Sequence, residues 1–158
     1  MDATSLSTTR CEDAAVPRRS AAGTIGRDRI AHVVDVFYDR IRQHPCLAEP
    51  FEIVEDWPAH KAKMAHFWWV SLGGRAYSSY RYEVVPKHAA IGVKPAWVDD
   101  WLDLFETTIR ESVSGKAAEL WVFRARRMGD SLRLVDEYVR RKKMRSPEMA
   151  TRQVAGEL

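Results

Sequence analysis

Four side chains have types and positions suited to chemistry around a bound small group: Tyr38, His60, His88 and Trp101. A neutral imidazole ligates a transition metal or relays a proton, depending on which ring nitrogen carries hydrogen. A phenol donates or accepts a hydrogen bond, whereas an indole N–H can only donate. Ile30, Val33, Val34, Phe37, Tyr38 and Ile41 recur at helical spacing, which turns Tyr38 inward. His60 shares an apolar stripe with Trp57, Met64, Phe67, Trp68 and Ser71, and Trp101 shares one with Trp97, Val98, Leu102, Phe105 and Ile109. His88 lies beyond a turn-rich stretch, just before Pro95. Taken singly, an inward histidine is more often a hydrogen-bonded core residue than a ligand. Four such groups on the inward faces of different segments shift that weight toward a shared function.

The elements that must position these groups read almost wholly as helices. The first stops near Pro45; Asp56 caps the second, which runs to Gly73-Gly74; Pro95 opens the third. Gly115 precedes a fourth, with Leu120, Trp121, Ala125, Met128, Leu132 and Val135 on its apolar side. Tyr80, Tyr82 and Val84 alternate with Arg81 and Glu83 as in a strand, but a lone strand has no partner. The spacing therefore predicts an irregular loop from Tyr77 to Pro86, leading to a short helical piece around Lys87-His88-Ala89. Residues 1–23, rich in Ser, Thr, Ala and Arg, read as a disordered leader, 24–143 as the folded domain and 144–158 as a flexible tail.

With 158 residues, 46% of them hydrophobic and 30% charged, the chain suffices for one domain with a real core. Only 8 glycines and 7 prolines favour helices over many short strands, and 6 tryptophans with 5 tyrosines and 5 phenylalanines suggest a fold that needs large flat side chains. Phe67-Trp68-Trp69-Val70 is the longest apolar run, far short of the roughly 18 residues of a membrane span. The opening residues lack the basic and apolar regions of a secretory signal, so a cytoplasmic chain is expected.

Cys11 and Cys46 read as two thiols without a metal-site partner at short spacing, and there is no paired-cysteine zinc pattern, phosphate loop or nucleophile elbow. His32 and His66 fall off the apolar stripes and read as surface residues; His44, beside Pro45, reads as loop. The net charge of +3 conceals a basic end, where Lys and Arg outnumber acidic residues nine to three between Arg124 and Arg145. Interleaved Leu132, Val135 and Tyr138 favour a solvated helix face there over a nucleic-acid footprint, so no nucleic-acid partner is expected.

The fragments Phe37-Tyr38, Trp57-x-x-His60, Phe67-Trp68, Pro86-Lys87-His88, Trp101-Leu102-x-x-Phe105 and Arg124-Ala125-x-Arg127-Met128 occur in unbroken order between residues 27 and 138. In this set the chain resembles a group III (P-type) truncated haemoglobin. The resemblance implies an all-α, shortened globin fold, two helix pairs sandwiching a haem b. It implies His88 as the proximal iron ligand, its other ring nitrogen bonded to a backbone carbonyl or similar acceptor. Tyr38, Trp101 and His60 correspond to the distal residues, and Phe37, Phe67, Trp68 and Met64 to haem packing. For His60 three roles stay open: gating entry, hydrogen-bonding a ligand, or ligating ferric iron. Lys63 and Lys87 are both candidates for the haem propionates. The chain departs from the pattern between Arg75 and Val85, which is longer than usual and carries Ser78, Ser79 and Tyr80 where the family has asparagine and glycine. The Phe51-to-Trp57 interval is short, so Phe51 is not assigned to the haem edge.

The donors in this set point to tight O2 binding. The Tyr38 O–H and Trp101 N–H hold a ligand that has drawn electron density, each by roughly 1.5–3 kcal/mol for a charged acceptor. Both residues are thereby the candidates for catalysis. Nitric oxide dioxygenation or peroxide reduction suits such a pocket, with electrons from an external reductase because the sequence has no flavin or nicotinamide motif. The alternatives are a haem-based O2 or NO sensor without turnover, and a haem-free helical module that binds nucleic acid or a protein.

Overall fold

A computed structural model describes residues 20–145, without the side chains of Val85, Lys143 and Arg145. Every regular element among the described residues is helical: α1 (Ala21–Ile25), α2 (Arg27–Ile41), a 3-10 turn at Glu49–Phe51, α3 (Trp57–Ser71), α4 (Val84–Ile91), α5 (Pro95–Ser112) and α6 (Gly115–Arg145). None of these helices is long and apolar enough to cross a membrane.

Two helix pairs carry the architecture: α2 packs on α3 and α5 on α6, while α2 against α5 joins the pairs and α4 leans on α6. The stripe on α2 is buried as its spacing predicts, from Ile30 to Ile41. Its partners include Trp68, Phe105, Ile109 and Trp121, so one continuous core runs through both pairs. At the α5–α6 contact Gly129 lets the helices approach closely: a Cβ there would lie 2.8 Å from Leu102 Cδ1, so the Leu102 side chain would have to shift. On α6 the apolar side departs from expectation at Leu120, which is exposed, while Ala118 and Val122 are buried beside Trp121.

Local signals fix the helix ends. The Asp56 side chain accepts from the Ala59 N–H at 2.9 Å, capping α3. Gly92, left-handed at φ 62°, ends α4 four residues after His88. Residues 77–83 form neither strand nor helix, as predicted, but α4 begins at Val84 and takes in Val84 to Pro86, which the loop reading includes.

The boundary assigned to the leader needs correction at its end. Residues 20–23 are ordered: the Ser20 hydroxyl accepts from the Gly23 N–H at 3.1 Å, and Ala22 is fully buried with its N–H on the Leu72 carbonyl at 3.1 Å. Ala22 and Ile25 are small contributions in sequence, yet they seal the end of α3. Residues 1–19 lie outside the described residues, as do 146–158. At the other end α6 continues through Met144 and Arg145, two positions assigned to the tail.

The basic end of α6 is internally paired. Arg126 meets Glu106 at 2.7 Å, Arg133 meets both Asp99 and Asp130, and Arg140 and Arg141 pair one turn back with Asp136 and Glu137. Exposed pairs of this kind stabilise little, but they offset the local charge.

Candidate functional site

A cavity of about 540 Å³ opens between α3, α4, α5 and the α2–α3 connection, within the size range of small-molecule and cofactor sites. It is lined by Tyr38, His60, Met64, Phe67, Trp68, His88 and Trp101, so seven of the eight residues singled out in the sequence meet there. Phe37 does not. It is buried behind the wall, with its ring 5.1 Å from that of Tyr38, 5.6 Å from Trp101 and 4.5 Å from Phe105. It backs the Tyr38 and Trp101 rings from behind the cavity wall, whereas the resemblance implied that it packs against the cofactor. A second depression, about 750 Å³, is bounded by the α1–α2 junction and the end of α5 and holds none of these groups.

His88 has a defined ring state. Its Nδ1 lies 2.5 Å from the Val84 carbonyl, which can only accept, so Nδ1 carries the hydrogen and, in the neutral imidazole, Nε2 is the nitrogen with a lone pair to offer. The bond joins residues one turn apart, so the helical phase of α4 itself fixes the ring. The resulting imidazole suits a metal that enters the cavity.

On α2, the Tyr38 ring stands edge-on to His60 at 4.8 Å and to Phe51 at 5.9 Å, with Trp57 at 6.1 Å. Burial pushes the Tyr38 phenol well above its ordinary value, so it stays a donor at physiological pH. Its hydroxyl has no hydrogen-bond partner among the described residues. The His60 imidazole is lowered, first by burial and then by the charges of Lys63 and Lys87. Its Nε2 is buried without a partner. An orphaned ring nitrogen beside an unengaged phenol, in a cavity that also holds a donor-ready imidazole, is the arrangement a polar-liganded cofactor would complete. These residues fit a haem.

Several wall residues were not anticipated. Phe51 lines the cavity despite its short connection to α3, as do Trp97, Ile91, Val93 and Leu132, which close the apolar side. Lys63 and Lys87 also border it, so both propionate candidates stand at the rim. Tyr82 was missed because its segment reads as a loop, and what holds it is His66. That histidine is buried, not on the surface as its position off the stripe suggested. The Tyr77 N–H donates to His66 Nε2 at 3.3 Å, so Nδ1–H faces the Tyr82 oxygen, and the Tyr82 hydroxyl in turn reaches the Lys63 carbonyl at 3.5 Å. A loop with no secondary structure is thus anchored to α3, with Tyr82 as part of the cavity wall. The sequence signal was the clustering of Tyr77, Tyr80 and Tyr82 one loop away from a histidine.

The geometry accords with known proteins. The protoglobin family model matches residues 9–139. The chain is 30% identical over 92 residues to the group 3 truncated hemoglobin ctb of Campylobacter jejuni, a match that covers 54% of this chain and 71% of that relative. The chain belongs to these globins and is a truncated haemoglobin. Among solved structures, this truncated haemoglobin is similar to the group III truncated hemoglobin from Campylobacter jejuni, with a TM-score of 0.61 and 24% identity over 68% of this chain and 88% of that one. It also matches a truncated oxygen-avid haemoglobin from Bacillus subtilis, with a TM-score of 0.62 and 21% identity over 74% and 98% of the two chains. At such identities the likeness carries the fold, the two-over-two helical sandwich. As a globin, this truncated haemoglobin is a haem protein that binds small gaseous ligands.

Proposed function

We propose that this truncated haemoglobin binds haem b through His88, holds O2 tightly with Tyr38 and Trp101, and uses the bound ligand in detoxifying chemistry on nitric oxide or peroxide. The observation that carries the reading is the His88 ring: Nδ1–H is committed to Val84, which leaves Nε2 without that partner in a residue that lines the cavity with Tyr38, His60 and Trp101. When bound, haem supplies an iron centre that takes a diatomic ligand and exchanges electrons. The rest falls to this chain's residues.

The Val84 carbonyl orients the imidazole and raises its basicity, as such partners do for metal-bound histidines. Met64, Phe67, Trp68 and Trp97 exclude water from a flat cofactor, and Lys63 and Lys87 offer cations to its carboxylates. Tyr38 and Trp101 present an O–H and an N–H, while His60, held neutral, can donate or accept through its unpartnered Nε2. Two donors slow ligand loss, which suits reaction better than delivery. Sustained turnover takes electrons from a separate reductase, and the cytoplasm is the compartment we assign.

Titration with hemin, followed by nitric oxide consumption under a chemical reductant, tests the reading. A Soret band saturating at one hemin per chain, with nitrate formed over many turnovers, is expected. Absence of the band refutes haem binding. A band with no nitrate and no peroxide loss refutes turnover and leaves a sensor.

A further inference from the structure

Outside the cavity, one cluster of metal-ligating side chains has no part in holding haem or its ligands. His44 and Cys46, on the connection after α2, converge with Asp100 on the second turn of α5, and their ligand atoms all lie within 4.8 Å of one another. We propose that His44, Cys46 and Asp100 form a binding site for a divalent transition cation of the zinc class.

Two observations carry it. The set combines imidazole, thiolate and carboxylate, the mixture that zinc takes in three-ligand sites whose fourth position is left to water. Asp100 is half-buried yet makes no ion pair among the described residues, whereas its neighbour Asp99 is paired with Arg133. In the free chain His44 Nδ1 accepts from the Cys46 N–H at 3.2 Å, an exposed bond that a cation on this imidazole displaces. Cys46, expected to have no metal-site partner at short spacing, stands in the structure beside His44 and Asp100. His44-Pro45-Cys46 supplies two ligands at close spacing, and the third comes from a helix more than fifty positions away.

Binding exchanges bonds simply. The Cys46 S–H loses its proton to solvent, the His44 ring gives up its bond from the Cys46 N–H, which turns to solvent, and the thiolate, one His44 nitrogen and one Asp100 oxygen replace waters on the cation; no electron moves. A cation here ties the α2–α3 connection to α5. The residues next in sequence to its ligands, Leu47 and Trp101, both line the cavity, so the clamp lies directly behind that wall.

Zinc titration by calorimetry on the haem-loaded full chain, in a Cys11→Ser background, tests the proposal. One zinc per chain is expected, with affinity lowered at least tenfold in each of His44→Gln, Cys46→Ser and Asp100→Asn. Zinc-edge X-ray absorption is expected to find one sulfur at about 2.3 Å and lighter ligands at about 2.0–2.2 Å. Because the three positions are not fully buried, the variants are expected to keep the wild-type Soret spectrum, which shows that they fold. Absence of saturable zinc binding, a zinc shell without sulfur, or equal affinity in the Asp100→Asn chain would overturn the site.

Discussion

Replacing Tyr38 by phenylalanine isolates the distal hydroxyl from everything else the residue does. The ring is held by Phe37, Phe51, Trp57 and His60 at centroid distances of 4.8 to 6.1 Å, and phenylalanine keeps all four contacts. Since the hydroxyl has no protein partner among the described residues, its removal orphans nothing. Thermal stability of Tyr38→Phe is therefore expected to match wild type or exceed it slightly. Ligand retention should behave oppositely. A hydrogen bond to a charged acceptor contributes roughly 1.5–3 kcal/mol, and 1.4 kcal/mol is about tenfold, so oxygen dissociation should accelerate by roughly ten- to a hundredfold. Stopped-flow mixing of the oxygenated, haem-loaded protein with dithionite and carbon monoxide measures that rate. Trp101→Phe should show a smaller acceleration in the same direction, and the double variant a rate at least as fast as either. Dissociation rates within twofold of wild type for Tyr38→Phe and Trp101→Phe would refute donor control of the ligand.

Packing and charge each give a further expected outcome. Phe105 is fully buried, with its ring 4.5 to 5.9 Å from those of Phe37, Trp68, Trp101 and Trp121, so Phe105→Ala should cost about 3–5 kcal/mol in denaturant unfolding. A loss below about 1 kcal/mol would mean that the core behind Trp101 is not packed as described. His60 is lowered below 6.5 by burial and by Lys63 and Lys87, so between its native value and 6.5 the unfolded chain binds more protons than the folded one. Stability should thus fall as pH drops through that window, and the fall from about pH 7.5 to about pH 5.5 should be smaller in His60→Gln. An equal fall in both proteins would contradict a neutral buried His60.

The helical frame was legible because its signals are local. The α2 stripe, the Asp56 cap and Pro95 each act within a turn or two, and each sits where its chemistry demands. The inward phases of Tyr38, His60 and Trp101 came from the same periodicity. What escaped depends on distance along the chain. Phe37 lies on the predicted face, yet periodicity gives only an angle and not depth, and the ring ended one layer behind the cavity. His66 sits off the α3 stripe and is buried by a loop that no periodic rule places. Asp100 meets Cys46 only once α5 has packed beside α2. Ser20 to Gly23 read as leader because small residues carry little hydrophobic signal, although Ala22 fills its place completely.

The most direct test of haem ligation is removal of the His88 ring and its return in solution. His88→Gly loaded with hemin is expected to lose the wild-type spectrum of the ferrous protein and to regain it on adding free imidazole, which can occupy the space beside Val84. A ferrous spectrum unchanged by His88→Gly, and indifferent to imidazole, would contradict the assignment of His88 as the residue that holds the iron.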